Sequence, residues 1–151
     1  TKVLHYLEVL RDVVGFENLK AKVVKPLQGR NIGAYYGCLL LRPGQVMSFD
    51  DVERPEILEN FIKAIGATPV IYDMRNECCA GYMAVTDKNL CKEMVSEIQD
   101  NAADAGAGEF ITACPLCAYN LLENAGATKL PVSYFTEVLA EALGLNDGGA
   151  D

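Results

Sequence analysis

No run of about 18 or more uncharged apolar residues occurs in this sequence, so no part of it is expected to span a membrane. Positive charge is also scarce. Thirteen Lys and Arg stand against 21 Asp and Glu, and the net charge of -8 repels phosphate backbones and anionic lipid surfaces, so no nucleic-acid partner is expected. The single histidine, His5, lies in an opening helical pattern away from the predicted strand exits and reads as a surface or interface residue. No Ser-His-Asp set, phosphate-cradling loop or dinucleotide fingerprint is present, so those chemistries have no foothold. The opening stretch, Thr1 to Val14, lacks a basic start, an apolar run and a small-residue cleavage site; no signal peptide is read there, and a cytoplasmic location is expected. Internal repeats, linkers and low-complexity blocks are missing, apart from a polar tail, residues 146–151, expected to be flexible.

What remains is a chain of 151 residues, enough for one ordinary core without disulfide staples. Half its residues are hydrophobic and 23% are charged, the composition of a globular domain. Six cysteines in such a chain point away from secreted staples and toward metal binding or redox chemistry. The opening at Thr1, without a methionine, suggests a fragment of a longer protein.

The pattern alternates strand with helix. Val3, Leu4, Leu7, Leu10, Val13 and Val14 recur at helical spacing, which predicts an amphipathic helix over about 2–14, with a second over 17–24 stopped before Pro26. Leu4, Leu7 and Val14 are candidates for docking a partner or missing half. A β-prone run, 31–37, reads as the first core strand with Cys38 at its exit. A helix follows, with Pro55 in its first turn, Ile57, Leu58, Phe61, Ile62 and Ile65 on one face, and Gly66 as its stop. Residues 68–72 form a short strand, and the loop after it carries Cys78 and Cys79. Thr86 or Asp87 caps a long helix to about Ala105; residues 110–113 form a third strand that delivers Cys114, and Pro115 opens the next helix, running to Gly126. A last strand, 130–132, feeds a helix capped by Ser133 and ending at Gly144. Four such units predict an α/β fold: an open, mainly parallel sheet of about four strands, helices on both faces, right-handed crossovers, and the cysteines at the carboxyl ends of the strands, where such sheets bind ligands.

Thiolates are soft ligands suited to zinc, copper(I) and iron-sulfur clusters. Cys114-Pro115-Leu116-Cys117 is a C-x-x-C whose sulfurs can reach one centre, and a helix N-terminus favours the thiolate form. The adjacent pair Cys78-Cys79 can aim at different atoms of one cluster if it sits in a turn.

The whole pattern, a single Cys38, then the pair Cys78-Cys79, then the C-x-x-C of Cys114 and Cys117, resembles the cysteine-rich CCG domain. It looks most like the second such domain in the B subunit of heterodisulfide reductase. Tyr35-Tyr36-Gly37-Cys38-Leu39-Leu40, Arg42-Pro43, Lys25-Pro26-Leu27, and Cys114-Pro115-Leu116-Cys117 with Asn120 carry the resemblance, which covers about 1–144. It implies a single CCG-type domain over 1–145, a fragment of a two-domain subunit. It also implies that Cys38, Cys78, Cys79, Cys114 and Cys117 hold a noncubane [4Fe-4S] cluster. Two such domains would reduce the mixed disulfide of coenzyme M and coenzyme B, one electron from each cluster, with the A and C subunits and the missing N-terminal half as partners. Five thiolates exceed the four needed by a cubane or a tetrahedral zinc ion. The sequence departs from the family pattern after the pair, where Ala80 precedes Gly81 instead of Cys-Cys-Gly, and in a slightly short spacing to Cys114.

Two alternatives stand beside this reading: a structural zinc module using four of the five thiolates, and a thiol-disulfide exchanger using Cys114 and Cys117 alone. Cys91 shares a helical stripe with Met94, Val95, Ile98 and Ala102 and reads as core packing. Tyr35 and Tyr36 read as strand packing, and Arg42 and Arg75 as solvated charges able to balance thiolates or meet an anionic substrate.

Overall fold

The structure is a computed structural model that describes residue 1 and residues 3–145, so Lys2 and the predicted flexible tail lie outside the described residues. The opening helix starts later than its apolar pattern: α1, Tyr6–Glu8, runs directly into a π-helical stretch, Val9–Val14. His5 closes its amino end, with Nδ1 accepting from the Leu7 amide at 3.2 Å and the Glu8 carboxylate accepting from the His5 amide at 2.8 Å. Helix α2, Phe16–Lys22, follows a glycine turn and ends before Pro26.

Strand β1, Asn31–Tyr35, is shorter than the β-prone run because the Tyr36 amide leaves the sheet to bond the Arg75 carbonyl at 2.8 Å. A short helix that the sequence did not signal, α3 (Gly44–Met47), fills the next connection. Helix α4, Ile57–Ala64, begins just past Pro55; the Asp50 carboxylate accepts from the amides of Glu56 (2.8 Å) and Ile57 (2.7 Å). Gly66, at a φ of 86°, stops it. Strand β2, Thr68–Val70, lies at a sheet edge, where its central Pro69 leaves no ladder bond unmade.

Two 3-10 turns, Asp73–Asn76 and Gly81–Met83, frame the Cys78-Cys79 pair. Helix α5, Lys88–Asp104, is capped by Asp87, whose side chain accepts from the Leu90 amide at 3.0 Å. Strand β3 (Glu109–Thr112) leads through Cys114 into α6, Pro115–Glu123, which stops short of the expected Gly126. Strand β4 is Val132–Tyr134, not 130–132: the Leu130 amide is taken by the Gln99 side chain at 2.9 Å, and Phe110 pairs with Val132. Ser133 therefore lies in the strand. Helix α7, Phe135–Ala142, is capped instead by Glu137, which accepts from the Tyr134 amide at 2.5 Å.

The four strands are all parallel in the order β2-β1-β3-β4. Alternation along β1 and β3 splits the core in two. Ile32, Ala34 and Ile111 face α1, α2, α4 and α7, where Leu7, Leu10, Leu19, Phe61 and Phe135 are buried. Tyr35 and Phe110 face α5 and α6 with Val95, Ile98 and Leu121. Leu7 is fully buried and Val14 packs against the first core, so these two expected docking residues hold the opening helix to its own sheet. Among the described residues no helix is long and apolar enough to cross a membrane.

Phe135 stands edge-on to Phe61 with ring centroids 5.8 Å apart and is 1% exposed. Phe135→Ala should cost about 3–5 kcal/mol in denaturant unfolding, whereas Val85→Ala, at a side chain 94% exposed, should stay within about 0.5 kcal/mol.

Candidate metal centre

In a parallel sheet, neighbouring strands whose connections run in opposite directions leave a crevice beyond their carboxyl ends. Here β1 connects outward to β2 on one side and β3 continues to β4 on the other, so the crevice opens between β1 and β3. Cys38 leaves β1, Cys114 leaves β3, and the loop after β2 folds back over the gap with Cys78 and Cys79. All five motif cysteines line one small cavity of about 40 Å³, together with Tyr36, Leu39, Leu40, Gly81, Tyr82 and Leu116. Leu39, Tyr82 and Leu116 are exposed and form an apolar rim.

The Cys38 and Cys78 sulfurs are 3.7 Å apart, as are those of Cys79 and Cys117, and Cys117 also bonds Cys114. Cys114 is the N-cap of α6, its sulfur accepting from the Cys117 amide at 3.4 Å, and Pro115 fills the first helical position. The Ala80 amide points at the Cys78 sulfur at 3.3 Å, and the Tyr82 hydroxyl lies 3.7 Å from the same atom. Among the described residues no three Cys, His, Asp or Glu side chains converge as they would around a single ion. All six cysteines are unpaired by disulfides.

Two glycines hold the chain close to the sulfurs. A Cβ on Gly37, whose φ is 65°, would come within 3.0 Å of the Cys117 sulfur, and one on Gly81 within 3.4 Å of the Cys79 sulfur. Ala80 has a φ of 54°, in the left-handed region. This is the position directly after Cys-Cys, so the backbone form that glycine adopts freely is kept here by an alanine, at a cost of roughly 1–2 kcal/mol.

Hydrogen bonds set the thiol acidities. The bond to Cys117 holds Cys79 down to about 6 despite burial, helped by the Gly81 amide and the Asn120 side chain. Cys114 is likewise held down to about 6, first by Cys117 and then by the Cys117 and Leu116 amides at the helix start. Cys117 keeps its own proton: it is pushed up by the bonds to Cys114 and Cys79 and by burial. Burial, then the Cys78 side chain, pushes Cys38 up.

The loops are braced from behind. Tyr35, kept protonated by burial, donates to the Glu77 carbonyl at 2.7 Å, just before the cysteine pair. Arg42 donates to the Asn76 carbonyl at 3.0 Å, and Arg75 donates to the Tyr72 carbonyl at 3.1 Å while pairing with buried Glu59 at 3.3 Å. Both arginines thus hold backbone, rather than standing in solvent as the sequence suggested. The Tyr36 hydroxyl donates to Glu59 and accepts from the Leu58 amide at 2.9 Å.

His5 also departs from its expected place. It packs on Phe49 (5.2 Å) and Phe135 (6.0 Å) and hydrogen-bonds the Ala113 carbonyl, which also accepts from the Tyr134 hydroxyl at 2.9 Å. The opening helix therefore steadies the residue before Cys114. Cys91 is fully buried in the second core, as its stripe predicts, but it is also hydrogen-bonded to Asn120. Its spacing carried no hint of that bond. An open groove of about 590 Å³ between α4 and the loop after β2 holds none of the thiols; mixed charges line it, among them Arg54, Lys63 and Asp73.

Five soft donors, a close-fitting cradle and two thiols held in reach of the thiolate form fit a thiolate-bound metal group. Residues 32–122 match the sequence model of the family described as Cysteine-rich domain, CCG. The chain is 32% identical over 137 residues to the 8-methylmenaquinol:fumarate reductase membrane anchor subunit of Wolinella succinogenes, covering 85% of this chain and 48% of that protein. It is 27% identical to the B subunit of the ferredoxin:CoB-CoM heterodisulfide reductase of Methanosarcina mazei, covering 97% of this chain and 52% of that protein. A third relative, the B subunit of the ferredoxin/F(420)H(2)-dependent CoB-CoM heterodisulfide reductase of Methanosarcina acetivorans, is 26% identical, covering 96% and 51%. The chain thus spans about half the length of the curated relatives it matches.

In metal-free protein, alkylation of Cys114 by iodoacetamide should have its midpoint near pH 6 and level off by about pH 7, while Cys38, whose pKa is raised, should still be gaining rate at about pH 9. Peptide mass spectrometry across a pH series reads both, and a Cys114 midpoint above about pH 8 would contradict the assigned hydrogen bonds.

Proposed function

The chain belongs to the CCG family of cysteine-rich domains, and on that premise we propose that it is the redox domain of a heterodisulfide reductase-like oxidoreductase. Cys38, Cys78, Cys79, Cys114 and Cys117 would hold a [4Fe-4S] cluster of noncubane type. The observation that carries this reading is the gathering of all five thiols from three strand exits into one cavity. Five thiols in one cavity exceed the four that a tetrahedral zinc ion takes, which favours a group with several metal atoms.

When bound, the cluster supplies one-electron redox capacity and iron with an affinity for thiolate. The chain's residues supply the rest. Cys79 and Cys114 are poised as thiolates at neutral pH, whereas Cys38 and Cys117 would give up their protons as the metal binds. Leu39, Tyr82 and Leu116 give the mouth of the cavity an apolar edge suited to a disulfide's alkyl arms. Cleaving that disulfide breaks one S–S bond, consumes two electrons and two protons, and releases two thiols. One domain carries one such site, so the second electron would come from a second domain of the same polypeptide, fed through the partner A and C subunits, in a cytoplasmic complex. Alone, this domain would not complete turnover.

A second reading rests on the Wolinella relative, whose name is that of a quinol:fumarate reductase membrane anchor: the same site would then relay electrons within a quinol-linked complex and meet no disulfide.

Anaerobic purification with iron, sulfide and zinc analysis tests the cluster. About four irons with matching sulfide per chain are expected; Cys78→Ser or Cys79→Ser should abolish the brown colour, and Cys91→Ala should leave the iron content intact. One zinc without sulfide, even after anaerobic reconstitution, would replace this reading with the structural module, and activity that survives Cys38→Ser would point to thiol exchange through Cys114 and Cys117. Reoxidation of the reduced protein by a mixed disulfide, set against reduction of the oxidised protein by a menaquinol analogue, separates the two readings.

A further inference from the structure

Behind the Cys78-Cys79 loop lies a buried polar network in an otherwise apolar core. Asn120 is 1% exposed and Asn124 4%, and Cys91 is fully buried. Such groups are costly to bury unless they are hydrogen-bonded, and here they bond one another and the cysteine loop. The Asn120 amide nitrogen donates to the Cys79 carbonyl. The same side chain also hydrogen-bonds the Cys79 sulfur. Its carbonyl oxygen accepts from the Asn124 amide at 2.7 Å and from the Cys91 thiol at 3.1 Å. Because Oδ1 is occupied twice, the side chain cannot flip, and its amide stays turned toward Cys79.

We propose that Asn120, locked by Asn124 and Cys91, is a positioning residue that fixes Cys79 and sets the reduction potential of the metal group held there. The inference rests on the proposed cluster. An N–H bond to a thiolate draws negative charge off the sulfur and so favours the reduced state, which carries more negative charge. Among the described residues no Lys or Arg lines the cavity to do this by charge, which leaves the task to neutral donors, of which Asn120 is almost wholly desolvated. The i, i+3 step from Cys117 to Asn120 on α6 places a cluster ligand and the residue that tunes a second ligand on one helical face.

The test is a redox titration followed by electron paramagnetic resonance on the anaerobically loaded protein, with iron and sulfide measured on each sample. Asn120→Ala should keep its metal and shift the midpoint to more negative potential, by about tenfold in the reduced-to-oxidised ratio at fixed potential, or about 59 mV for one electron. Cys91→Ala, which frees one side of the Asn120 carbonyl, should shift it the same way by less. A full cluster at unchanged potential in Asn120→Ala overturns the inference alone, and wild-type protein that takes up no iron and sulfide overturns both it and the proposed function. Should Asn120→Ala not fold, wild-type protein carrying side-chain 15N-asparagine decides the matter: a hyperfine coupling from that nitrogen to the cluster is expected, and its absence overturns the inference.

Discussion

The parallel pairing of β1 with β3 is the constraint on which the site depends. Ile32 to Tyr35 lie against Glu109 to Thr112, so the chain leaves both strands at the same end, and Cys38 and Cys114 emerge as neighbours although half the chain separates them. Only then does the third segment matter. The loop after β2 is pulled across the gap by the Tyr36 amide bond to Arg75 and by Tyr35 and Arg42 bonds to the carbonyls of Glu77 and Asn76. Removing the β1–β3 pairing would leave the five cysteines as distant thiols.

Sulfur crowding brings an electrostatic difficulty, since thiolates repel one another and the whole chain is already acidic. The structure meets it with neutral donors instead of cations. Backbone amides of Ala80 and Cys117 point at sulfur, and Cys117 stays protonated between Cys79 and Cys114. The arginines nearby, Arg42 and Arg75, are spent on loop carbonyls and on Glu59. The left-handed Ala80 belongs to the same turn, where its amide meets the Cys78 sulfur and the chain reverses into the 3-10 turn at Gly81.

The first core serves the site indirectly. Phe135 and Phe49 enclose His5, and His5 and Tyr134 both bond the carbonyl that precedes Cys114. Packing on one face of the sheet is thereby tied to the position of a candidate ligand at its edge. That tie explains why the opening helix is folded onto the sheet instead of standing free for a partner.

Much of this was legible in the residues. The alternation of strand and helix gave the fold class, glycines and prolines marked most of the stops, and cysteines at successive strand exits marked the crevice, because those signals are local and the exits of parallel strands share an edge. Three kinds of feature were not. Element ends such as β1 and β4 are decided by bonds to distant groups, the Arg75 carbonyl and the Gln99 side chain, which outcompete β-propensity. The places of His5, Arg42 and Arg75 depend on which loops pack beside them. Asn120 was singled out only as part of the family pattern after Cys117, and nothing in the sequence placed it against Cys79. The sequence alone determined the thiol count, their spacing and the kind of sheet that carries them, since these follow from composition and periodicity. Tertiary structure alone decided the strand order, the sulfur pairs and the amide locked behind Cys79, since each joins segments whose mutual distance no local pattern encodes.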